Sequence, residues 1–319
     1  MRPLRRSVAL LLVFVAFPAL AQQYPARPIR VLIPFTAGSA ADIIARAMEP
    51  QLRERLGQSL VIDNRGGAGG NIAAELTAKG APDGYTVMMG TVGTHAINHS
   101  LYAKPSFDPI RDFTPIALVG ESPNALVINP RVPANSIREL IALGKARPGQ
   151  LNYGSSGSGT TVHLSAELFS TMAGIKMVHV PFKGATEALT ALLGGQLDLM
   201  FASLSSSIPL IKAGRLKAFA VTGERRSPSL PELPTVAESG LKGYETITWF
   251  GFVAPAKTPQ AAIARLNAEI GKVLPEVRSQ FASQGIETIG GTPERFADYI
   301  REEIAKWAKV IRLSGAKAE

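Results

Sequence analysis

Residues 29–42, IRVLIPFTAGSAAD, decide the fold of this chain. Their apolar, β-branched start predicts a strand over 29–34, and the small residues after it predict a tight turn into a helix that ends near Leu56. This alternation of short apolar runs and amphipathic helices continues from Ile29 to about Ala220. Continuous apolar strands are typical of a mostly parallel sheet with helices on both faces, so the sequence predicts an α/β fold.

The other elements can be placed from apolar runs and helix-end signals. Further strands are predicted over 60–63, 86–89, 125–129, 177–180, 197–201, 217–221 and 247–254. Ser136 begins a capping box, and Thr258 and Thr292 are each predicted to cap a helix whose first residue is proline. Glycines that follow helical patterns are predicted to end them: Gly57, Gly174, Gly214, Gly285 and Gly315.

The N-terminal segment has the pattern of a secretory signal. Three arginines precede an apolar run that ends at Ala21. A membrane anchor is the alternative, but the run of about 13 residues is shorter than the roughly 20 that span a bilayer. Since the chain has 0 cysteines, neither lipid attachment nor disulfides are available to it. We therefore expect a periplasmic protein, cleaved near Ala21.

Length and charge restrict the organisation and the partners. About 298 residues remain after cleavage (319 minus 21), more than one core usually holds, so two lobes are expected. We predict a signal peptide over 1–21, a first lobe over 22–124, a second lobe over 125–225, and a crossing segment with a return to the first lobe over 226–319. The net charge of +9 becomes +6 once three arginines leave. That charge favours anionic ligands, but the scattered basic residues do not indicate nucleic acid.

Two loops rich in small residues are the candidate binding site. The first contains Phe35, Thr36, Ala37, Gly38 and Ser39, with Asp42 one turn into the helix; the second contains Ser155, Ser156, Gly157, Ser158, Gly159 and Thr160. Each links a strand to a helix, so backbone N–H groups and the positive end of a helix dipole can reach a carboxylate. The first could also be an ordinary turn with Asp42 as a cap, and the second a flexible linker. As a pair on two lobes, they predict one shared cleft.

Other chemistries find less support. Neither loop has the spacing of a nucleotide-binding motif, so no cofactor is expected. His95 and His99 have helical metal spacing but no HExxH context, so no metal site is expected. His163 near the serines of the second loop leaves a secreted serine hydrolase as an alternative, although the G-x-S-x-G spacing is absent. We expect no catalysis.

Several further motifs occur together in this chain. They are Pro28 to Phe35, Asn64 to Asn71, Asp83-Gly84-Tyr85, Gly93 to Asn98, Leu151 to Ser155, Val180 to Gly184, Gly194 to Asp198 and Pro234 to Glu238. With them, essentially the whole mature chain resembles the Bug, or TctC-like, family of extracytoplasmic receptors of tripartite tricarboxylate transporters. The resemblance implies a type II periplasmic binding-protein fold, with two α/β lobes that close on the ligand about a hinge.

The resemblance also implies the site. The family grips a ligand carboxylate with the two loops, and further contacts are expected at Asp42, Thr94, His95, Asn98, Phe182 and Gly184. The family often carries tyrosine at the position of Phe182 and Asp-Asn at the positions of Ala202 and Ser203. These departures predict a ligand whose far end is less polar than that of a dicarboxylate.

The combined prediction is a periplasmic receptor, expected to be a monomer, that delivers a small carboxylate to integral-membrane transporter subunits. A carboxylate sensor for a signalling partner is the alternative that uses the same site. The sequence alone does not separate uptake from sensing.

Overall fold

The computed structural model of the protein describes residues 24–318. The predicted signal peptide, residues 1–21, lies outside the described residues. Within 24–318, no helix combines the length and the apolar character that crossing a bilayer requires. The described chain is a mixed α/β structure with its helices packed on one curled sheet.

Ten strands form within the described residues, and most coincide with a predicted apolar run. They are β1 (Ile29–Ile33), β2 (Leu60–Asn64), β3 (Thr86–Thr91), β4 (Phe113–Ile128), β5 (Leu151–Ser155), β6 (Met177–Pro181), β7 (Leu199–Ser203), β8 (Lys217–Val221), β9 (Ile247–Pro255) and β10 (Glu287–Thr288). The first half of β4 was missed because Pro115, Gly120 and Pro123 interrupt its pattern. Register shifts after Pro115 and Leu118 accommodate these residues in the strand.

The helices follow the strands in the alternating order that the sequence predicted. They are α1 (Ala40–Leu56), a 3₁₀ turn (Ala68–Gly70), α2 (Asn71–Ala78), a π-helical turn (Gly93–Ile97), α3 (Asn98–Leu101), α4 (Ile137–Ala146), α5 (Thr161–Ala173), α6 (Ala185–Leu193), α7 (Leu204–Lys212), α8 (Gln260–Ser283) and α9 (Pro293–Ser314). The five glycines predicted to end helices all have positive φ, between 62° and 72°.

Two of the three predicted N-caps are confirmed. Ser136 Oγ accepts from the Glu139 N–H at 3.2 Å, and Thr292 Oγ1 accepts from the Arg295 N–H at 3.3 Å. The prediction for Thr258 is wrong, because its hydroxyl donates to the carbonyl oxygen of Pro255 at 2.8 Å and α8 begins one residue later than predicted. Local chemistry therefore fixed the start of α4 and α9 but not of α8.

Two long strands join two parallel half-sheets. β1 pairs in parallel with β2 and β3 in the first lobe, and β5 pairs in parallel with β6 and β7 in the second. Between them, β4 and β9 run antiparallel, and β4 leaves β9 near Pro123 to pair with β7 and β8 from Asn124 onward. β4 thus belongs to both lobes, so a change in its twist would change the angle between them.

The last two helices pack on the first lobe. Ile263, Ile270 and Phe281 of α8 share a core with Ile29 of β1 and Ile44 of α1, all at most 2% exposed. α9 lies over β9, where the buried Glu303 carboxylate accepts from the indole N–H groups of Trp249 at 3.1 Å and Trp307 at 3.0 Å. Burial raises the pKa of Glu303, although Lys306 and the two indoles oppose the rise. The bond from Trp249 fixes α9 against β9, whereas the bond from Trp307 lies within α9.

Gly251 in β9 tests this packing. A Cβ there would overlap the ring of Phe296 in α9 and lie 2.9 Å from the carbonyl oxygen of Ala117. Gly251→Ala should therefore lower the free energy of unfolding by about 1–3 kcal/mol, measured by urea denaturation. Gly271→Ala is the control, because nothing lies within 4 Å of its Cβ and helix propensity favours alanine there by roughly 0.5–1 kcal/mol. Equal effects of the two substitutions would contradict this account of the packing.

Candidate functional site

Both glycine-rich loops end in the same kind of turn. In the first, the Ser39 N–H donates to the Thr36 carbonyl oxygen at 3.2 Å, and Gly38 between them has φ of 78°. In the second, the Thr160 N–H donates to the Gly157 carbonyl oxygen at 3.3 Å, with Gly159 at φ 86°. A positive φ at the third residue is what a type II turn requires, and glycine adopts it without steric cost.

Each turn leads into a helix with the same capping arrangement. Ser39 Oγ accepts from the Asp42 N–H at 3.4 Å, and Thr160 Oγ1 accepts from the His163 N–H at 3.3 Å. A helix begins with four N–H groups that have no partner within the helix. The turn satisfies the N–H group of the cap residue, and the cap side chain satisfies the N–H group of the third helical residue. The N–H groups of the first two helical residues have neither partner.

The residues that carry the remaining N–H groups of both helices line one cavity between the lobes. They are Ala40 and Ala41 in α1 and Thr161 and Val162 in α5. The cavity measures about 40 Å³, and no charged side chain lines it among the described residues. Its lining consists of Phe35, Ser39, Ala40, Ala41, Thr91, Val92, Gly93, Asn124, Ser156, Thr160, Thr161, Val162, Ala185, Ser203, Thr248 and Phe250.

The lobes are closed around this cavity. The Tyr102 hydroxyl of the first lobe donates to the Ser158 carbonyl oxygen of the second at 3.0 Å, and Thr186 Oγ1 donates to the Ala37 carbonyl oxygen at 3.2 Å. Gly69 approaches Ser158 so closely that a Cβ would overlap its carbonyl oxygen. A volume of about 40 Å³ holds about three or four water molecules, at roughly 10–15 Å³ for each. A larger ligand therefore needs the lobes to separate before it enters.

Asp42 supports the first turn from behind. Its side chain is buried, with Oδ2 accepting from the Gly38 N–H at 2.9 Å and Oδ1 accepting from Arg46 Nε at 2.9 Å. Burial alone would raise the pKa of Asp42, but the bonds from Arg46 and Gly38 hold it below its usual value. Asp42 does not line the cavity, so the structure favours the capping role that the sequence left open.

Two stacked histidines support the second turn. His163 Nδ1 accepts from the Gly159 N–H at 3.3 Å, and His179 Nε2 lies 2.6 Å from Ser155 Oγ, which in turn accepts from the Gly157 N–H at 3.1 Å. The two imidazole centroids are 4.1 Å apart. Burial lowers the pKa of His163 to about 3 and that of His179 to about 4, and His179 adds to the effect on His163. Both imidazoles are therefore neutral at physiological pH, and they hold the glycine amides of this loop, His163 directly and His179 through Ser155 Oγ.

Three predicted site residues, Thr94, His95 and Asn98, lie behind the lining of the cavity. Thr94 Oγ1 bonds to His95 Nδ1 at 2.8 Å, and the fully buried His95 ring packs edge-on against Phe113. Burial lowers the pKa of His95 to about 3. Asn98 Nδ2 donates to the Gly69 carbonyl oxygen at 3.2 Å. None of these three side chains lines the cavity, and Asn98 supports the loop that carries Gly69 instead.

The remaining predicted residues fall into two groups, those that line the cavity and those that do not. Ser39, Ser156, Thr160, Ser203 and Phe35 line the cavity. Phe182 and Ala202 pack in the core of the second lobe, and Gly184 lies against Thr36 across the lobe boundary. Arg65 lies outside the lining, and its Nε donates to Asp63 Oδ1 at 2.8 Å.

Four residues that line the cavity were not predicted from the sequence. They form its floor and lie on β3 and on β4 and β9, the two strands that join the lobes: Thr91, Asn124, Thr248 and Phe250. Asn124 is adjacent to Ser203 in the sheet, and Thr91 is adjacent to Phe250. The signal for them lies in the pairing of β4 and β9, which joins residues more than 100 positions apart. An alternating pattern along one strand does not reveal such a pairing.

Comparison with known proteins gives consistent matches over nearly the whole chain. A family model described as tripartite tricarboxylate transporter family receptor, TctC, matches residues 44–315. The protein BugT of Bordetella pertussis is 36% identical over 306 residues, covering 95% of this chain and 94% of BugT. The solved structure of R. palustris Rpa4515 with adipate has a TM-score of 0.90 and 40% identity, covering 93% of this chain and all of that one. MatC from Rhodopseudomonas palustris with bound malate has a TM-score of 0.87 and 33% identity, covering 90% and 100%.

The histidine pair predicts a loss of stability in mild acid. Each pKa in the folded state lies below its unfolded value of about 6.5, so the unfolded chain binds more protons as the pH falls from 6.5 towards 4. His163→Asn keeps an acceptor near the Gly159 N–H but removes the titrating group. Between pH 7 and pH 5, the free energy of unfolding of the native protein should fall. That of His163→Asn should fall by about 1–2 kcal/mol less.

Urea denaturation at a series of pH values measures this difference. The surface substitution His99→Asn is the matched control, and it should leave the native pH dependence in place. If the curves of His163→Asn and the native protein stayed parallel, the buried imidazole would not be the source of the pH dependence.

Proposed function

The chain belongs to the TctC family of tripartite tricarboxylate transporter receptors, and we propose that it binds the carboxylate of a small organic acid with the free N–H groups of α1 and α5. The observation that carries the proposal is the convergence of two helix N-termini, one from each lobe, on one cavity. Family membership places the receptor outside the cytoplasm. The finer assignment to the periplasm, after removal of residues 1–21, is part of the proposal.

The chemistry of the site favours an anion without using a cation. Each helix N-terminus carries roughly half a positive charge, and hydrogen bonds from N–H groups to a carboxylate are stronger than those to a neutral acceptor. Ala40, Ala41, Thr161 and Val162 offer four such donors. Small side chains at the turns let a carboxylate approach the backbone closely. Because a buried lysine or arginine is not involved, the site avoids desolvating a cation.

Binding and closure are coupled, since the two pairs of donors belong to different lobes. In an open state, each lobe could satisfy part of the carboxylate while water solvates the rest. Closure brings the second pair of donors to the same group and forms the contacts of Tyr102 with Ser158 and of Thr186 with Ala37. A ligand that interacts more strongly with the closed state shifts the population towards it. We propose that membrane transporter subunits recognise that closed state.

Known relatives support a carboxylate as the class of ligand. One structural neighbour was solved with adipate and another with bound malate, both small organic acids. This chain shares 40% and 33% identity with them. We therefore propose an organic acid of comparable size as the ligand.

Catalysis is not part of the proposal, although Ser155 and His179 form a close pair. Ser155 is fully buried, does not line the cavity, and its Oγ already accepts from the Gly157 N–H. Among the hydrogen bonds of the described residues, none joins His179 to a carboxylate, so the pair lacks the acidic partner of a serine hydrolase. The pair shapes the turn whose N–H groups we assign to ligand binding.

A panel of organic acids tests the proposed function by thermal denaturation. At about 100 times its dissociation constant, a ligand that binds only the folded state stabilises it by about 2.7 kcal/mol, which gives a clear rise in Tm. At least one acid should produce this rise, whereas the matched primary amide should not, because an uncharged group gains less from the helix termini. No rise with any acid of the panel would contradict the proposal.

Gly69 tests the coupling between binding and closure. Gly69→Ala adds a Cβ that overlaps the Ser158 carbonyl oxygen of the other lobe. Since only the closed state contains this contact, affinity for the best acid should fall at least tenfold, about 1.4 kcal/mol, in isothermal titration calorimetry. Gly57→Ala is a matched control: its φ of 68° resembles the 61° of Gly69, yet nothing lies within 4 Å of its Cβ. Equal affinities of the two variants would exclude the closed lobes as the binding state.

A further inference from the structure

A second cavity lies beside β4 and β9, the two hinge strands. It measures about 630 Å³, whereas the cavity at the two glycine-rich loops measures about 40 Å³. Pro123 of β4 and Ile247 of β9, which are paired in the sheet, form part of the lining of the second cavity. We call this second cavity the hinge groove.

The hinge groove and the cavity at the loops lie on opposite faces of the hinge strands. Successive side chains of a β-strand point to opposite faces. In β9, Thr248 and Phe250 line the cavity, and Ile247 lines the groove. In β4, Asn124 lines the cavity, and Pro123 before it lines the groove. The same alternation in both strands places the groove behind the hinge.

The two walls of the hinge groove belong to different lobes. Glu224 and Arg225 follow β8, a strand of the second lobe. The other wall contains Ala282 of α8, Glu287 of β10 and Lys306 of α9, and these three elements pack on the first lobe. A change in the angle between the lobes therefore changes the width of the groove.

The polar contacts between these walls are weak. Lys306 Nζ lies 3.3 Å from a carboxylate oxygen of Glu245, and the Arg225 guanidinium lies 3.8 Å from the carboxylate of Glu287. Both pairs are accessible to solvent, where ion pairs contribute little to stability. Glu121, which lines the groove, is paired across the sheet with Glu287, and like charges at opposed positions are destabilising. These contacts therefore resist a change in the width of the groove only weakly.

Rotation of the lobes about the hinge strands changes the two spaces in opposite directions. A rotation that separates the walls on one face of the strands brings together the walls on the other face. The closed structure agrees with this geometry, since the cavity at the loops is small and the groove behind the hinge is large. Opening of the lobes thus consumes the space of the groove. A group that occupies this space collides with the walls only on opening, so it favours the closed state.

We propose that the hinge groove controls the balance between the open and closed states, and that filling it holds the lobes closed without any contact to the ligand. The apparent dissociation constant of a ligand that binds the closed state falls as the closed fraction rises. Filling the groove should therefore raise ligand affinity and slow ligand release. This inference goes beyond the proposed function, because it assigns a role to the face of the hinge strands opposite the carboxylate site.

Substitutions of increasing size at Ala282 provide the test. Ala282 is exposed on α8 and lines the groove, so Ala282→Leu, Ala282→Phe and Ala282→Trp fill it progressively. The same three substitutions at Ala268 are the matched control, because Ala268 is exposed on the same helix and lines neither the groove nor the cavity. The chain has 0 cysteines, so spin labels can be placed on the two lobes through Lys104→Cys and Glu187→Cys.

Electron paramagnetic resonance then measures the distance between the two labels in the unliganded protein. The population with the longer distance, which is the open state, should decrease with each increase in size at position 282 and stay unchanged at position 268. In isothermal titration calorimetry, Ala282→Trp should bind the best acid about threefold more tightly or better, because the open state competes less with binding. Ala268→Trp should bind that acid as the native protein does.

The outcomes separate this inference from the proposed function. If the distances in the position-282 series match those in the position-268 series, or if the open population grows with size at position 282, control by the hinge groove is overturned whether or not an acid binds. If the distances respond as expected but no acid binds, control of the lobe angle stands and carboxylate binding fails.

Discussion

The structure depends on a requirement that every α-helix has, which is to satisfy the N–H groups of its first turn. In α1 and α5, the turn and the cap residue bind the first and fourth of these groups and leave the middle two free. Both helices begin at the carboxyl end of a parallel strand, where ligands bind in open α/β sheets. The curled sheet turns these two edges towards each other, so that the first two residues of both helices line one cavity between the lobes.

In this arrangement, the polar side chains behind the two turns hold the turns in place and do not line the cavity. Asp42 fixes the first turn through the Gly38 N–H, and His163 fixes the second through the Gly159 N–H. The buried charge of Asp42 is balanced by Arg46, which lies outside the cavity. The cavity therefore keeps a favourable potential for an anion without a charged wall. The hinge strands below it allow the two sets of donors to separate and meet again.

Much of this could be predicted from the sequence because the signals were local. The strand before Pro34, the small residues of the two loops and the glycines that follow five of the helices can be predicted from backbone chemistry within a few residues. Chain length predicted two lobes, and the family resemblance added the type II periplasmic binding-protein fold. The first half of β4 was missed because its prolines and Gly120 conceal a strand that pairing with β9 and β10 stabilises. The inner positions of His95 and Asn98 depend on Phe113 and Gly69, whose proximity is a property of the folded chain.

The central claim is that one carboxylate is bound at once by the helix N-termini of both lobes. The most direct measurement is a titration of ¹⁵N-labelled protein with its tightest-binding acid, following the backbone amides of Ala40, Ala41, Thr161 and Val162 by NMR. The account predicts that all four amide protons move downfield along a single binding curve, because each donates to the same anion. Saturable binding in which the amides of only one helix respond, or neither pair does, would contradict it.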